Sequence, residues 1–288
     1  MEAVMERVMN NHRIRKTDKS IIDFPVSKFD LRFVDEKMQK VAKGDCGVAV
    51  VRTDTKEIIT HAGSEYQLVP HMKVLTAVEA MFEANGLEYD LFDIHTGGTK
   101  GNRMYVDYIL PKHKIEVQGD DYTPFVQVQN SYDKFILFGL VTGLYRTACV
   151  NGVLMGMRNM QFLTKKHVEG NISLKDIAWN IDDWILNLKI TQKQLSKLFK
   201  APLSKTTYED VIKEILNKEK DQTIFAETKL LETYKKEFGN TEYALFNALT
   251  AYATHTMDDI EVCKNHDKAR AIQMKIAKHF LQPALVEN

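Results

Sequence analysis

The sequence predicts an α+β fold: a β-hairpin/helix/antiparallel β-meander core followed by a helical C-terminal part. Three observations carry this. β-branched runs and period-two alternation crowd the first half. From Ser173 onward the apolar residues switch to helical spacing. The longest apolar run, 132–157, lies at the seam, with charge inside it only at Asp133, Lys134 and Arg146. Strands first and helices second is the α+β order. The expected division is an N-terminal arm over 1–20, an α+β core over 21–170 and a helical region over 171–288.

Taken in order, 1–20 reads as a short amphipathic helix and a basic segment, and 34–43 as a helix ended by Gly44. Residues 46–52 (CGVAVVR) read as a strand that turns at 53–56 and returns over 57–61. Val74, Leu75, Val78, Met81 and Phe82 keep helical spacing after Pro70, and Asn85-Gly86 closes that helix. Strands follow over 88–95, 104–110, 112–117 and 125–129. Beyond them the spacing predicts a helix over 174–188 and a second from Thr191. A third starts at a Thr207 cap, a fourth covers 224–238, a fifth starts at Thr241, and a last one covers 258–281.

Among the 288 residues, 39 Lys and Arg balance 39 Asp and Glu. A strongly basic nucleic-acid binder is therefore not announced, and any such binding must use a local patch. Cys46, Cys149 and Cys263 are odd in number and form no Cys-x-x-Cys pair. That argues against a disulfide framework or zinc ribbon and for a reduced, cytoplasmic compartment. Glu2 and Glu6 interrupt the N-terminus, so no signal peptide is expected, and Arg146 speaks against a membrane span in the apolar run.

No catalytic motif is present: neither a P-loop nor Gly-x-Ser-x-Gly. The nine histidines are scattered, and Asp182-Asp183 and Asp258-Asp259 are neighbours that point apart on a helix. No metal, no cofactor and no enzymatic activity are expected. The segment 190–216 could form a helix-turn-helix presenting Lys205 and Tyr208, but Ala201-Pro202 at its break and Glu209, Asp210 and Glu214 favour an ordinary helix pair.

Arg146 sits inside GLYRTACVNGVLMG. A guanidinium there either pairs with a carboxylate or lines the floor of an anion-binding groove. Asn130, Ser131 and Asp133, followed by Arg146, Cys149, Asn151 and Gly152, resemble the signature of a phage/plasmid-like family of unknown function. YALFNALTAYATH, over 243–255, is similar to that family's second block. The resemblance implies a phage, prophage or plasmid setting, hence a host cytoplasm, and supplies no mechanism. A second segment, 66–89, resembles the strand–helix of the eukaryotic strand-annealing recombinases through Tyr66, His71, Phe82, Asn85 and Gly86, and phage proteins of the RecT class are similar. The His-to-Phe spacing is one residue longer here.

Between residues 94 and 166 there are nine Lys or Arg against five Asp or Glu, interleaved with Tyr105, Tyr108 and Tyr122. Annealing needs a held phosphate backbone and accessible bases, with no hydrolysis and no metal. The expected nucleic-acid-binding residues are Lys100, Arg103, Lys112, Lys114, Lys134, Arg146, Arg158 and Tyr105. The expected function is single-stranded DNA binding and strand annealing in phage or mobile-element recombination, as a homo-oligomer and with a phage nuclease or host single-strand-binding protein as a further partner. The alternative is a non-enzymatic interaction protein that modulates a host or phage factor. Convergence of these cations on one concave face separates the two.

Overall fold

The computed structural model describes residues 17–32, 46–98, 101–149, 151–154, 163–174, 181–256 and 264–281. Strands β1 (Val26–Asp30), β2 (Val48–Arg52) and β3 (Glu57–Ala62) form an antiparallel three-stranded sheet in that order. The expected hairpin is β2–β3, and β1 is an addition to it. The inner face of this sheet packs Val48 and Val50 on Phe24, Tyr66 and Tyr132. The arm expected over 1–20 lies mostly outside the described residues, as do the helix expected over 34–43, Lys100 and Arg158.

Helix α1 (His71–Ala84) follows Pro70. Its first amide is capped from outside, by the Tyr132 hydroxyl at 2.7 Å from the His71 nitrogen. It stops where Gly86 takes φ +65, with the Gly86 and Leu87 amides reaching the Glu83 and Phe82 carbonyls. A left-handed glycine after the last turn is a common helix stop.

The large sheet holds β4 (Asp90–Gly97), β5 (Arg103–Ile109), β6 (Ile115–Val117), β7 (Asp120–Ser131), β8 (Phe138–Arg146), β9 (Asn151–Leu154) and β10 (Leu163–Lys165). Its order is β10-β8-β7-β5-β4, with β6 beside β7 and β9 beside β8, all antiparallel. The expected meander is thus present, and the apolar run supplies β8 and β9. One face is apolar: Ile94, Met104, Val106, Tyr108, Val126, Val128, Leu140 and Leu144 are buried against Val74, Leu75, Val78 and Phe82 of α1 and against the C-terminal helices. Each such side chain contributes about 1.5–3 kcal/mol on burial.

The opposite face mixes polar and apolar side chains. Asp107 and Gln127 are direct neighbours across β5 and β7, as are Tyr105 and Gln129. A register shift between Leu91 and Asp93 leaves Phe92 as the extra residue of a β-bulge, after which Asp93 lies opposite Asp107. Two glycines let rings lie flat on this face. A Cβ at Gly143 would meet the Phe125 ring at 2.2 Å, and one at Gly152 would meet the Tyr145 ring at 2.7 Å.

The C-terminal half is helical: α2 (Ile181–Lys200), α3 (Lys205–Ile215), α4 (Glu219–Thr228), α5 (Leu230–Phe238), α6 (Glu242–Ala251), a π-helical turn (Tyr252–Thr256) and α7 (Lys264–Phe280). Three expectations are corrected. Thr191 does not cap a new helix; its hydroxyl bonds back to the Asn187 carbonyl at 2.9 Å, and α2 runs on unbroken. The cap of α3 is Ser204, whose Oγ accepts from the Thr207 amide at 3.0 Å. The helix expected over 224–238 is two helices, because Lys229 adopts φ +55 between them. Thr241 caps α6 as expected, accepting from the Ala244 amide. Among the described residues no helix is long and apolar enough to cross a membrane.

Candidate nucleic-acid interface

The sequence-predicted cations stand apart. Arg103 is at the start of β5, where its Nε donates to Asp133 at 2.7 Å and its guanidinium lies over the Phe135 ring. Lys134, in the β7–β8 loop at the same end of the sheet, bonds the His61 carbonyl. Lys112 and Lys114 follow the far end of β5, roughly 20 Å away at about 3.3 Å per residue. Lys112 pairs with Glu88, and Lys114 is exposed. Tyr105 is wholly buried, with the Arg270 guanidinium 4.6 Å from its ring centre.

Arg146 is 3% exposed. Its Nη2 donates to Asp120 Oδ1 at 2.6 Å and to Glu237 of α5, and the guanidinium lies 4.8 Å from the Phe238 ring centre. Asp120 Oδ2 also accepts from the Tyr243 hydroxyl, itself 2.6 Å from that of Tyr122. Burial alone would lower the Arg146 pKa, but the bond to Asp120, the nearby Cys149 sulfur and the bond to Glu237 outweigh it and raise it. Burial, then the Tyr122 and Asp120 neighbours, push the Tyr243 hydroxyl far up. This cluster joins the sheet to α5 and α6. The two blocks singled out in the sequence meet beside it, where His255 Nε2 is 3.0 Å from Asn151 Oδ1.

The earlier block around Asn130 is also internal. Asn130 Nδ2 bonds the Val69 carbonyl and His71 Nδ1, and the His71 ring stacks on Tyr132 at 3.9 Å. Burial drives the His71 pKa down to about 3, so the imidazole is neutral and accepts at Nδ1. Among the described residues no group of histidine, cysteine and carboxylates could hold a metal ion.

Cations do gather on α2. Lys189, Lys193, Lys197 and Lys200 are all exposed and recur every three or four residues, so they form one row along the helix. At 1.5 Å rise per residue, neighbours in the row are roughly 5–6 Å apart along the axis. No acidic residue occurs between Trp184 and Lys200, and among the described residues no carboxylate pairs with any of the four lysines. Trp184, Leu188, Leu195 and Leu198 bury the opposite side of the helix, which fixes the row outward. The segment carrying Lys112 and Lys114 lies against α2: the His113 ring is 5.2 Å from Trp184, and Gln192 donates to the Glu116 carbonyl at 2.7 Å. Their spacing in the sequence already carries the row. The break expected at Thr191 divided Lys189 from Lys193 and hid it.

Residues 59–280 match a family model described as a domain of unknown function, DUF932. The chain belongs to the DUF932 family. No curated protein and no solved structure matches the chain. This assignment is compatible with the resemblance of the Asn130 and Arg146 blocks to a family of unknown function.

Proposed function

We propose that this DUF932 protein binds single-stranded DNA through its phosphate backbone, with the α2 lysine row as the principal contact. The observation that carries the reading is the row itself: four unpaired ammonium groups on one rigid helix face of a chain whose net charge is zero. A backbone-only contact leaves base edges accessible, which suits strand annealing. The likeness of residues 66–89 to strand-annealing recombinases points the same way. Annealing requires more bases than one chain covers, so the working form is a homo-oligomer, with a mobile element's nuclease or a host single-strand-binding protein as a further partner.

The test is fluorescence anisotropy with a labelled single-stranded oligonucleotide. Four neutralised phosphates give a log–log salt slope of about −3, at roughly −0.7 per phosphate. Replacing Lys189, Lys193 and Lys197 by Glu should abolish binding at low salt while leaving the melting temperature unchanged. Equal affinity for parent and triple variant would sink the assignment.

A second reading, the non-enzymatic interaction protein, is favoured by two observations: the sequence-predicted cations do not converge on one face, and the small sheet exposes an apolar pair. On the outer face of the small sheet Phe29 and Ile58 are 51% and 58% exposed. They flank Ala49 and Val51 of β2 on that face. No DNA binding at low salt, together with retained folding, would shift the weight to this surface.

A further inference from the structure

We propose that the open edge of β1 is a self-pairing surface: two copies of this chain join their small sheets edge to edge, β1 antiparallel to the partner's β1, with Phe29 at the twofold axis. This deepens the homo-oligomer of the reading above and rests on it for its role. The pairing itself does not use the α2 lysine row, so each can fail without the other.

The edge is defined by the pairing on its other side. β1 runs antiparallel to β2; the Leu31 amide reaches the Gly47 carbonyl at 2.9 Å, and the Thr53 amide reaches that of Pro25 at 3.0 Å. In an antiparallel ladder the bonding residues alternate. Ser27 and Phe29 therefore turn their main-chain groups to β2, and Val26, Lys28 and Asp30 turn theirs outward. Among the described residues no strand pairs with that outward side, and Lys28, Phe29 and Asp30 are exposed. The far edge of the same sheet is engaged: on β3 the His61 carbonyl accepts from Lys134. An unpaired edge is a template for another strand.

The side chains select the occupant. A hydrogen-bonded pair across the edge must join two outward-turned residues, which restricts the twofold registers. The one centred on Lys28 sets two ammonium groups against each other. The one centred on Asp30 opposes two carboxylates and sets Lys28 against Arg32. Like charges directly opposite are destabilising. The one centred on Ser27 leaves Asp30 past the end of the partner's strand. The one centred on Phe29 sets Lys28 opposite the partner's Asp30, twice, and lets the main chains of those same residues bond. Lys28 already donates to the Tyr66 carbonyl at 2.9 Å, and an ammonium has two donors left. At the axis the Phe29 rings, each 51% exposed in the single chain, cover one another and extend the row that Phe29 makes with Ala49. The same residues serve both sides, so the contact closes at two copies.

The experiment uses the full chain without DNA. In sedimentation velocity the mass should double reversibly as concentration rises to about 100 μM, a range suited to a small interface. Phe29→Cys puts two thiols at the axis, where a non-hydrogen-bonded pair has its Cα atoms about 4.5 Å apart, within disulfide reach. Mild oxidation should trap that variant as a dimer that reductant releases. Ser27→Cys puts its thiols four residues out of step, roughly 13 Å apart. Like the parent with its own cysteines, it should not be trapped. Asp30→Lys alone and Lys28→Asp alone oppose like charges in both pairs, and each should stay a single chain. Mixed together they restore two opposite-charge pairs and should form a one-to-one dimer. Circular dichroism checks the folding of each variant, and the cysteine trap, which leaves both charges in place, decides the matter if a charge variant unfolds. A parent that stays a single chain at every concentration with no trapping of Phe29→Cys, or equal trapping of Ser27→Cys and Phe29→Cys, would overturn the proposal. So would folded charge variants that stay apart when mixed. A single-chain parent that binds DNA would sink this proposal and spare the lysine row, and a dimer that binds no DNA would do the reverse.

Discussion

Replacing Arg146 by Ala separates a fold-bearing arginine from one that serves a ligand. The Arg146 side chain is 4% exposed and that of Asp120 is 12%, so the variant leaves an anion almost out of water with only the Tyr243 hydroxyl to meet it. Breaking a buried pair in this way costs roughly 3–5 kcal/mol. The Glu237 side chain is 47% exposed and can turn to solvent, so its share is small, about 0–1 kcal/mol. At roughly 2–4 °C per kcal/mol for a chain approaching this size, the melting temperature should fall by about 6–20 °C. Arg146→Lys should recover part of the loss, since one ammonium cannot serve Asp120, Glu237 and Cys149 in the same fork geometry. The assay is a thermal melt by circular dichroism, paired with a DNA titration well below the transition. A melting temperature within about 2 °C of the parent, roughly 1 kcal/mol or less, would refute the pairing argument.

Three further outcomes follow from other sites. His71 has its folded pKa lowered to about 3 by burial, while its unfolded value is near 6.5. The unfolded chain therefore binds the extra proton between those values, and stability is lost as pH falls through that window. By pH 5 the loss from His71 alone is about 2 kcal/mol, and His167, also lowered by burial, adds to it in the same direction. His71→Phe, which can still stack on Tyr132, should flatten the pH dependence of urea melts, and an unchanged slope would count against the assignment. Lys229→Gly should raise stability by about 0.4–1 kcal/mol, because a non-glycine residue there is held at φ +55; destabilisation in a urea melt would contradict it. Gly143→Ala drives a methyl into the Phe125 ring and the Val153 carbonyl and should cost about 1–3 kcal/mol, read the same way.

Strands and helices were legible where local chemistry agreed with packing. The alternation over 104–110 gave β5, and Asn85-Gly86 gave the stop of α1. The misses have specific causes. Thr191 looks like a cap because its hydroxyl competes for backbone, and only the tertiary setting shows it bonding backward within a longer helix. Lys229 carries no sign in its side chain that it will turn left-handed. The lysines of 94–166 were visible as charge, but which sheet end each would occupy depends on strand pairing across up to dozens of residues. The Asp120–Arg146–Glu237 cluster joins residues from three elements, and no spacing along the chain announces it.

The apolar face of the large sheet and the C-terminal helices share one continuous core, in which Val128 and Leu140 belong with Trp184, Leu249 and Ile276. This has a consequence for anyone cutting the gene. A fragment ending near residue 170 would carry a sheet with its greasy side laid bare, and a fragment beginning there would carry helices with nothing to lean on. Neither half is a portable module. A DNA-binding assay on the lysine-bearing helix has to be run on the whole chain, and a nonsense mutation late in the reading frame should remove the protein altogether instead of leaving a working half.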